Sequence, residues 1–179
     1  MPSRPLRGFP PVIDTGVRTL ILGSFPSRRS LAKGEYYGHP QNQFWKLVGG
    51  IIDVSLHQMA YRDKLRTLLT YRIGLWDVIG RCERRGSLDS AIRKATGNRF
   101  QRVTRVAKGL RRVCFNGKTA ARFEPMFAAQ GYETCILPSS SRANTLPFLI
   151  KLRAWRGALL AERDSRKRRS GHRSRAIGH

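Results

Sequence analysis

Acidic residues are scarce in this sequence: eleven Asp and Glu stand against thirty-five Lys and Arg in 179 residues, a formal charge of +24. An excess of that size repels itself and has to be offset by a polyanion, nucleic-acid phosphate first and an anionic membrane surface second. Cysteine is scarce as well. Cys82, Cys114 and Cys135 lie far apart with no C-x-x-C spacing, which argues against a zinc or iron–sulfur centre and for reduced thiols. Cys114 and Cys135 sit in apolar runs and read as small core residues. Long apolar runs are missing too. Residues 1–16 lack the apolar stretch of a signal peptide, and no segment approaches the ~20 residues of a membrane helix, so a soluble, intracellular protein with no membrane partner is expected.

Apolar residues make up 40% of the chain, enough for one domain with a packed core. Four short runs read as buried strands: residues 18–23, 73–78, 112–115 and 133–137. Helical spacing appears between them. Phe44, Leu47 and Val48 share one side of a helix from Asn42 to about residue 50; Leu65, Leu68 and Leu69 mark a second over 60–70. Phe100, Val103, Ala107 and Leu110 mark a third, with Asn98 as its cap. Its other face carries Arg99, Arg102, Arg105 and Lys108, either a solvated face or a phosphate-binding one. A helix also follows Asn116 as far as about residue 131, and a last one spans about 146–160. Strand alternating with helix predicts an α/β fold, a three-layer α/β/α sandwich around a central, mainly parallel four-stranded sheet. Functional groups in such folds gather at the C-terminal strand ends. Here those are Ser24 onward, Asp77, Asn116 and Pro138 onward.

Two loops at those ends carry chemistry. The first holds Gly23-Ser-Phe-Pro-Ser27 and then Tyr36-Tyr-Gly-His-Pro-Gln-Asn-Gln-Phe-Trp45. A Gly-Ser-x-Pro turn after a strand exposes backbone N–H groups, here around Ser24 and Phe25, that suit an anion or a carbonyl oxygen. Tyr36 and Tyr37 offer flat faces for stacking a base. Asn42 reads on its own as a helix cap, and His39, with no partner to orient it, as structural. The second loop is Pro138-Ser-Ser-Ser-Arg-Ala-Asn144. Its hydroxyls Ser139, Ser140 and Ser141 can hold a phosphate, and Arg142 near the tip can contact phosphate or enter a duplex. A polar turn feeding a helix cap is the alternative.

Together the loops resemble a known family. Tyr37-Gly-His-Pro-Gln-Asn-Gln-Phe-Trp-Lys46 is similar to the segment after the first motif of mismatch-specific uracil/thymine glycosylases. Pro138-Ser-Ser-Ser-Arg-Ala-Asn144 is similar to the second motif of the uracil-DNA glycosylase superfamily. Leu22-Gly-Ser-Phe-Pro-Ser27 with Tyr36-Tyr37, and also Gly86-Ser-Leu-Asp-Ser90, resemble the hypoxanthine-DNA glycosylase branch more closely still. The resemblance spans about residues 17–157. One position departs from the mismatch-specific pattern: Phe25 stands where those enzymes hold a water-activating Asn. The hypoxanthine branch lacks it likewise, and the resemblance implies that Asn42 takes over.

That resemblance implies a monofunctional DNA glycosylase of base excision repair that flips out a deaminated base, hypoxanthine, and hydrolyses its N-glycosidic bond. The base would lie against Tyr37, with the Ser24–Phe25 amides facing its oxygen, Asn42 holding the water and Ser139–Arg142 on the DNA. No metal or cofactor is expected. The partner would be double- or single-stranded DNA containing a deaminated base, bound by a monomer in the cytoplasm at the nucleoid. A uracil-DNA glycosylase and a non-catalytic nucleic-acid binder are the competing readings. Asp77 falls where family patterns place an Asn that reads the base edge; its carboxylate would accept from the ring N–H of hypoxanthine or uracil, or else simply cap the next turn. Residues 1–160 form the expected domain. Residues 161–179, with seven Arg or Lys and two acids, are expected to be a disordered basic arm contacting phosphate.

Overall fold

Apolar strands buried on both faces need a helical layer on each side, and three such strands with a fourth, partly exposed one supply the centre of the molecule. The computed structural model describes the backbone of residues 4–173 and the side chains of residues 4–160. In chain order the elements are β1 (Leu6–Arg7), β2 (Thr19–Gly23), α1 (Arg28–Lys33), α2 (Phe44–Ile52), α3 (Tyr61–Thr70), β3 (Ile73–Asp77), β4 (Ile79–Arg84), β5 (Ile92–Gly97), α4 (Gln101–Val106), β6 (Arg112–Asn116), α5 (Lys118–Ala121), α6 (Glu124–Ala128), β7 (Glu133–Leu137) and α7 (Phe148–Arg173).

The main sheet has the order β3-β2-β6-β7, and every neighbouring pair is parallel. Alternation along the strands divides the core in two. Leu20, Leu22, Trp76, Val113 and Phe115 face Val103 of α4 and Phe127 of α6. Ile21, Leu75, Cys114 and Leu137 face Leu47 of α2, Leu68 of α3 and Trp155 of α7. The three-layer sandwich expected from the sequence is therefore present, with all four expected strands in one parallel sheet. The register pairs Gly23 with Asp77 and Asn116 with Leu137, so the four C-terminal ends lie in one row.

A second sheet was not legible in the sequence. β1, β4 and β5 form an antiparallel, three-stranded sheet of order β1-β4-β5, packed through Ile79 and Cys82 against the first core. Its strands carry Arg81, Glu83, Arg93 and Lys94 among few apolar residues, so no apolar run announces them. The connection between β4 and β5 is the Gly86–Ser90 stretch of the family-like motif.

Helix starts also differ from expectation. α2 begins at Phe44, two residues after Asn42, and α4 begins at Gln101 rather than at Asn98. Asn98 does not cap it: its Nδ2 donates to Asp77 O at 2.7 Å. The helix expected after Asn116 is two short ones, α5 and α6. The last helix was expected to stop near residue 160, where the apolar spacing ends, yet α7 continues to Arg173. The run from Ala161 to Arg173 holds six Arg or Lys, straight-chain residues that cost a helix little, and the backbone is helical as far as Arg173. The remaining arm, residues 174–179, lies outside the described residues.

Candidate active site

The row of strand ends brings Gly23, Asp77, Asn116 and Pro138 together, and the two motif-bearing loops arch over them. β2 runs into the turn at Ser24, where Ser24 Oγ donates to Asp89 Oδ1 at 2.8 Å. Arg84 holds the same turn from β4: it is buried, donates through Nε to Gly86 O at 3.1 Å, through Nη2 to Pro26 O, and lies 5.2 Å from the Phe25 ring centroid. The Phe25 side chain is thus part of the core, and only its backbone can face a ligand. Arg28 N donates to Ser87 Oγ at 3.0 Å. Through these contacts the Gly86–Ser90 stretch becomes a brace for the first loop, a role no single residue of it advertised.

Tyr37 takes φ 54°, a left-handed conformation unusual outside glycine. It turns the ring onto Phe44, stacked at 3.9 Å between centroids and 9° between planes. The hydroxyl accepts from Asn116 Nδ2 at 3.2 Å. Residue 23 has to be glycine here, because a Cβ would stand 2.5 Å from Asp77 Oδ1 and 3.0 Å from Tyr37 Oη. Tyr36 is different. It is buried, donates from its hydroxyl to Pro10 O at 2.8 Å and does not offer the stacking face expected of it.

Asp77 sits at the centre of this arrangement, 4% exposed, and its Oδ2 has no hydrogen-bond partner. It does not cap the following turn: Val78 N donates to Gly23 O and Ile79 N to Ser24 O. Burial, reinforced by the Asp89 charge and opposed by Arg84, pushes its carboxyl up to about 7. The same burial, with Asp77 adding to it, raises the Tyr37 hydroxyl, which stays protonated.

Asn42 Oδ1 accepts from Phe44 N at 2.9 Å. The local turn expected of a cap is therefore made, though α2 starts later, and the oxygen keeps a second lone pair while Nδ2 keeps its donors. His39 Nδ1 accepts from Gln41 N at 3.1 Å, and slight burial with the charges of Arg142, Arg29 and Lys33 lowers its pKa. It is a neutral, locally tied imidazole.

The second loop is stapled from below. Asn116 donates to Ser140 Oγ at 2.9 Å and accepts from Ser140 N at 2.9 Å, while Gln43 N donates to Ser140 O at 2.9 Å. Ser140 is thereby turned inward, 1% exposed. Ser139 and Ser141 are half-buried, their hydroxyls accepting from Ser141 N and Ala143 N at 3.2 Å each, and Arg142 is exposed. Gly117 has φ 97° with Ser139 Cβ 3.0 Å from where its own Cβ would be, so the crossing of the two loops also demands glycine. Lys151 of α7 was not singled out in the sequence. It is 1% exposed, and Nζ donates to Gln43 Oε1 at 2.9 Å, Asn144 O at 2.8 Å and Ser141 O at 3.4 Å. One buried ammonium therefore joins the residue before α2 to the middle and the C-terminal end of the second loop. At the tip, Arg142 Nη1 donates to Gln41 Oε1 at 3.0 Å. No cluster of His, Cys, Asp and Glu suited to a metal is present among the described residues, and none of their helices is long and apolar enough to cross a membrane.

Residues 10–159 match the family model described as the uracil DNA glycosylase superfamily. The chain is 50% identical over 138 residues to a hypoxanthine DNA glycosylase of Methanosarcina acetivorans, covering 77% of this chain and 87% of that one. It is 44% identical over 149 residues to the Methanosarcina barkeri protein of the same name, covering 83% and 94%. An NMR solution structure of a candidate uracil DNA glycosylase from M. acetivorans superposes with a TM-score of 0.80 at 45% identity, covering 87% of this chain and 97% of that one.

Replacing Lys151 by Met keeps the length but leaves three oxygens without their donor. We expect a loss of about 1–3 kcal/mol in denaturant unfolding and weaker DNA binding. Full stability with full affinity would mean that the loops hold themselves.

Proposed function

The chain belongs to the uracil DNA glycosylase superfamily, and we propose that it is a DNA glycosylase acting on hypoxanthine, the deaminated form of adenine. The observation that carries the substrate is the unpartnered, buried Oδ2 of Asp77 at the strand-end row, supported by the hypoxanthine DNA glycosylases it resembles. A base must leave the duplex before its glycosidic bond can be reached. The flipped base would lie against Tyr37, whose ring is held by Phe44 and Asn116. Hypoxanthine and uracil each carry a ring N–H beside a carbonyl, and the carboxylate of Asp77 would accept from it. Adenine N1 and cytosine N3 are acceptors and would leave that oxygen unsatisfied, at a cost of about 1–3 kcal/mol or more for a charge.

In the reaction the C1′–N bond breaks with its electron pair on the base, and the sugar becomes oxocarbenium-like. Backbone donors of the Ser24–Phe25 turn would stabilise the departing charge. Water held by Asn42 would add its oxygen to C1′, and the proton it loses ends on the released base. An amide is a poor base, but an oxocarbenium needs positioning more than proton abstraction. Ser139, Ser141 and Arg142 would grip phosphate, with Ser140 bracing the loop from inside, and the arm from residue 161 would add contacts blind to sequence. The protein would act as a monomer on deaminated DNA, at the nucleoid.

Duplexes with a single hypoxanthine, uracil, xanthine or adenine, treated with protein and then hot alkali, test the reading. Strand breaks at hypoxanthine are expected, with none before alkali. Asn42→Ala should abolish them while DNA affinity changes little. A protein that binds every duplex and leaves all of them intact would be a binder only.

The pH dependence has a sign that a generic acid group would not give. Base recognition needs ionised Asp77, so single-turnover rates on hypoxanthine should fall as pH drops through about 7. Folding works the other way: a carboxyl raised by burial holds its proton better when folded, so its contribution is fully present at low pH and is lost as pH rises from the ordinary carboxylate range to about 7. Activity and thermal stability measured together across pH 5–8 should move oppositely. Parallel curves would remove Asp77 from base recognition.

A further inference from the structure

We propose that an arginine-lined cleft beside the edge of β3 binds the phosphodiester backbone of the DNA substrate beyond the flipped nucleotide; this rests on the glycosylase reading above. The cleft has a volume of about 480 Å³ and lies between the β1–β4 pair of the second sheet and the residues that open α4. Arg7, Arg81, Arg99 and Arg102 line it, and no Asp or Glu does. All four are exposed, and among the described residues none of them takes part in an ion pair. Four cations around one concavity with no counter-charge repel each other until an anion enters. Planar guanidinium forks match phosphate oxygens in pairs.

Two features separate this cleft from the basic surface at large. Arg102 lies 5.7 Å from the Trp76 ring centroid, so its head is oriented by an aromatic face. The wall of the cleft also touches the strand end that carries Asp77. Asn98 in its wall donates to the Asp77 carbonyl at 2.7 Å, and Pro10 at its rim accepts from Tyr36, the neighbour of Tyr37. A strand whose nucleotide has entered beside Asp77 can therefore continue along these arginines. Of the four basic residues that the sequence placed on one helical face, Arg99 and Arg102 enter the cleft, whereas Arg105 and Lys108 do not.

That division supplies the control. Affinity for a duplex bearing one hypoxanthine is measured by fluorescence anisotropy over a range of KCl concentrations. Arg81→Gln with Arg99→Gln should make the slope of log K against log salt shallower by about 2, each single change by about 1. Affinity near physiological salt should fall on the order of tenfold, and the preference for the lesion should survive. Arg105→Gln with Lys108→Gln removes the same charge outside the cleft and should change the slope by less than half as much. Thermal melts confirm that all variants fold. Equal slopes for the two pairs would reduce the cleft to diffuse surface charge and overturn the inference. A changed slope in a protein without base release would instead keep the cleft and refute the glycosylase reading.

Discussion

Asp77 is buried at the end of β3, its Oδ1 packed where only a glycine at position 23 leaves room and its Oδ2 without a partner. A buried carboxylate in that state costs the fold on the order of several kcal/mol, and the surrounding structure can be understood as tolerating it. Arg84, itself buried, favours the charged carboxylate, and Asn98 holds the Asp77 backbone. Tyr37 adopts a strained conformation to bring its ring and hydroxyl beside it. Strain and unmet hydrogen-bonding capacity are thus gathered at one point, and the proposed function assigns both to recognition of the base.

The loops around that point are held by few residues, each making several bonds. Asn116 reaches Tyr37 and Ser140 at once; Lys151 spans Gln43, Ser141 and Asn144. Asp89 and Arg84 tie the second sheet to the turn after β2. A flipped nucleotide would meet a surface already in place, so little ordering would remain to be done on binding. The external charge works on a different scale. On the proposed reading, arginines on the cleft and Arg142 on the second loop would draw DNA without regard to sequence, and the small interior site would then discriminate.

How much of this was visible beforehand follows from what each residue had to do. Three strands of the main sheet were legible because burial on both faces forces apolar runs, and the partly exposed β7 through its Cys135-Ile-Leu137 run; the four ends named Ser24, Asp77, Asn116 and Pro138. β4 and β5 were not, since a sheet with one wet face can be written with Arg81, Glu83, Arg93 and Lys94. Asn98 looked like a cap because Asn before a helix usually is one; only the fold shows its amide spent on Asp77. Lys151 carried no signal at all. A lysine in an amphipathic helix is ordinarily solvated, and its burial depends on loop carbonyls brought in from elsewhere. Ser140 was read with its neighbours as a phosphate ligand, whereas the turn geometry of three serines sends the middle one inward.

The claim on which the account turns is that the free oxygen of Asp77 reads the ring N–H of the damaged base. Asp77→Asn tests it most directly, because the shape stays and an oxygen becomes a donor suited to adenine N1. Single-turnover base release should be measured on duplexes that differ only in hypoxanthine or adenine at one position, beside a thermal melt. The account predicts that the preference for hypoxanthine shrinks by about 1–3 kcal/mol in the ratio of rates, in a protein that melts no lower than the parent. An unchanged ratio in a folded variant would contradict it.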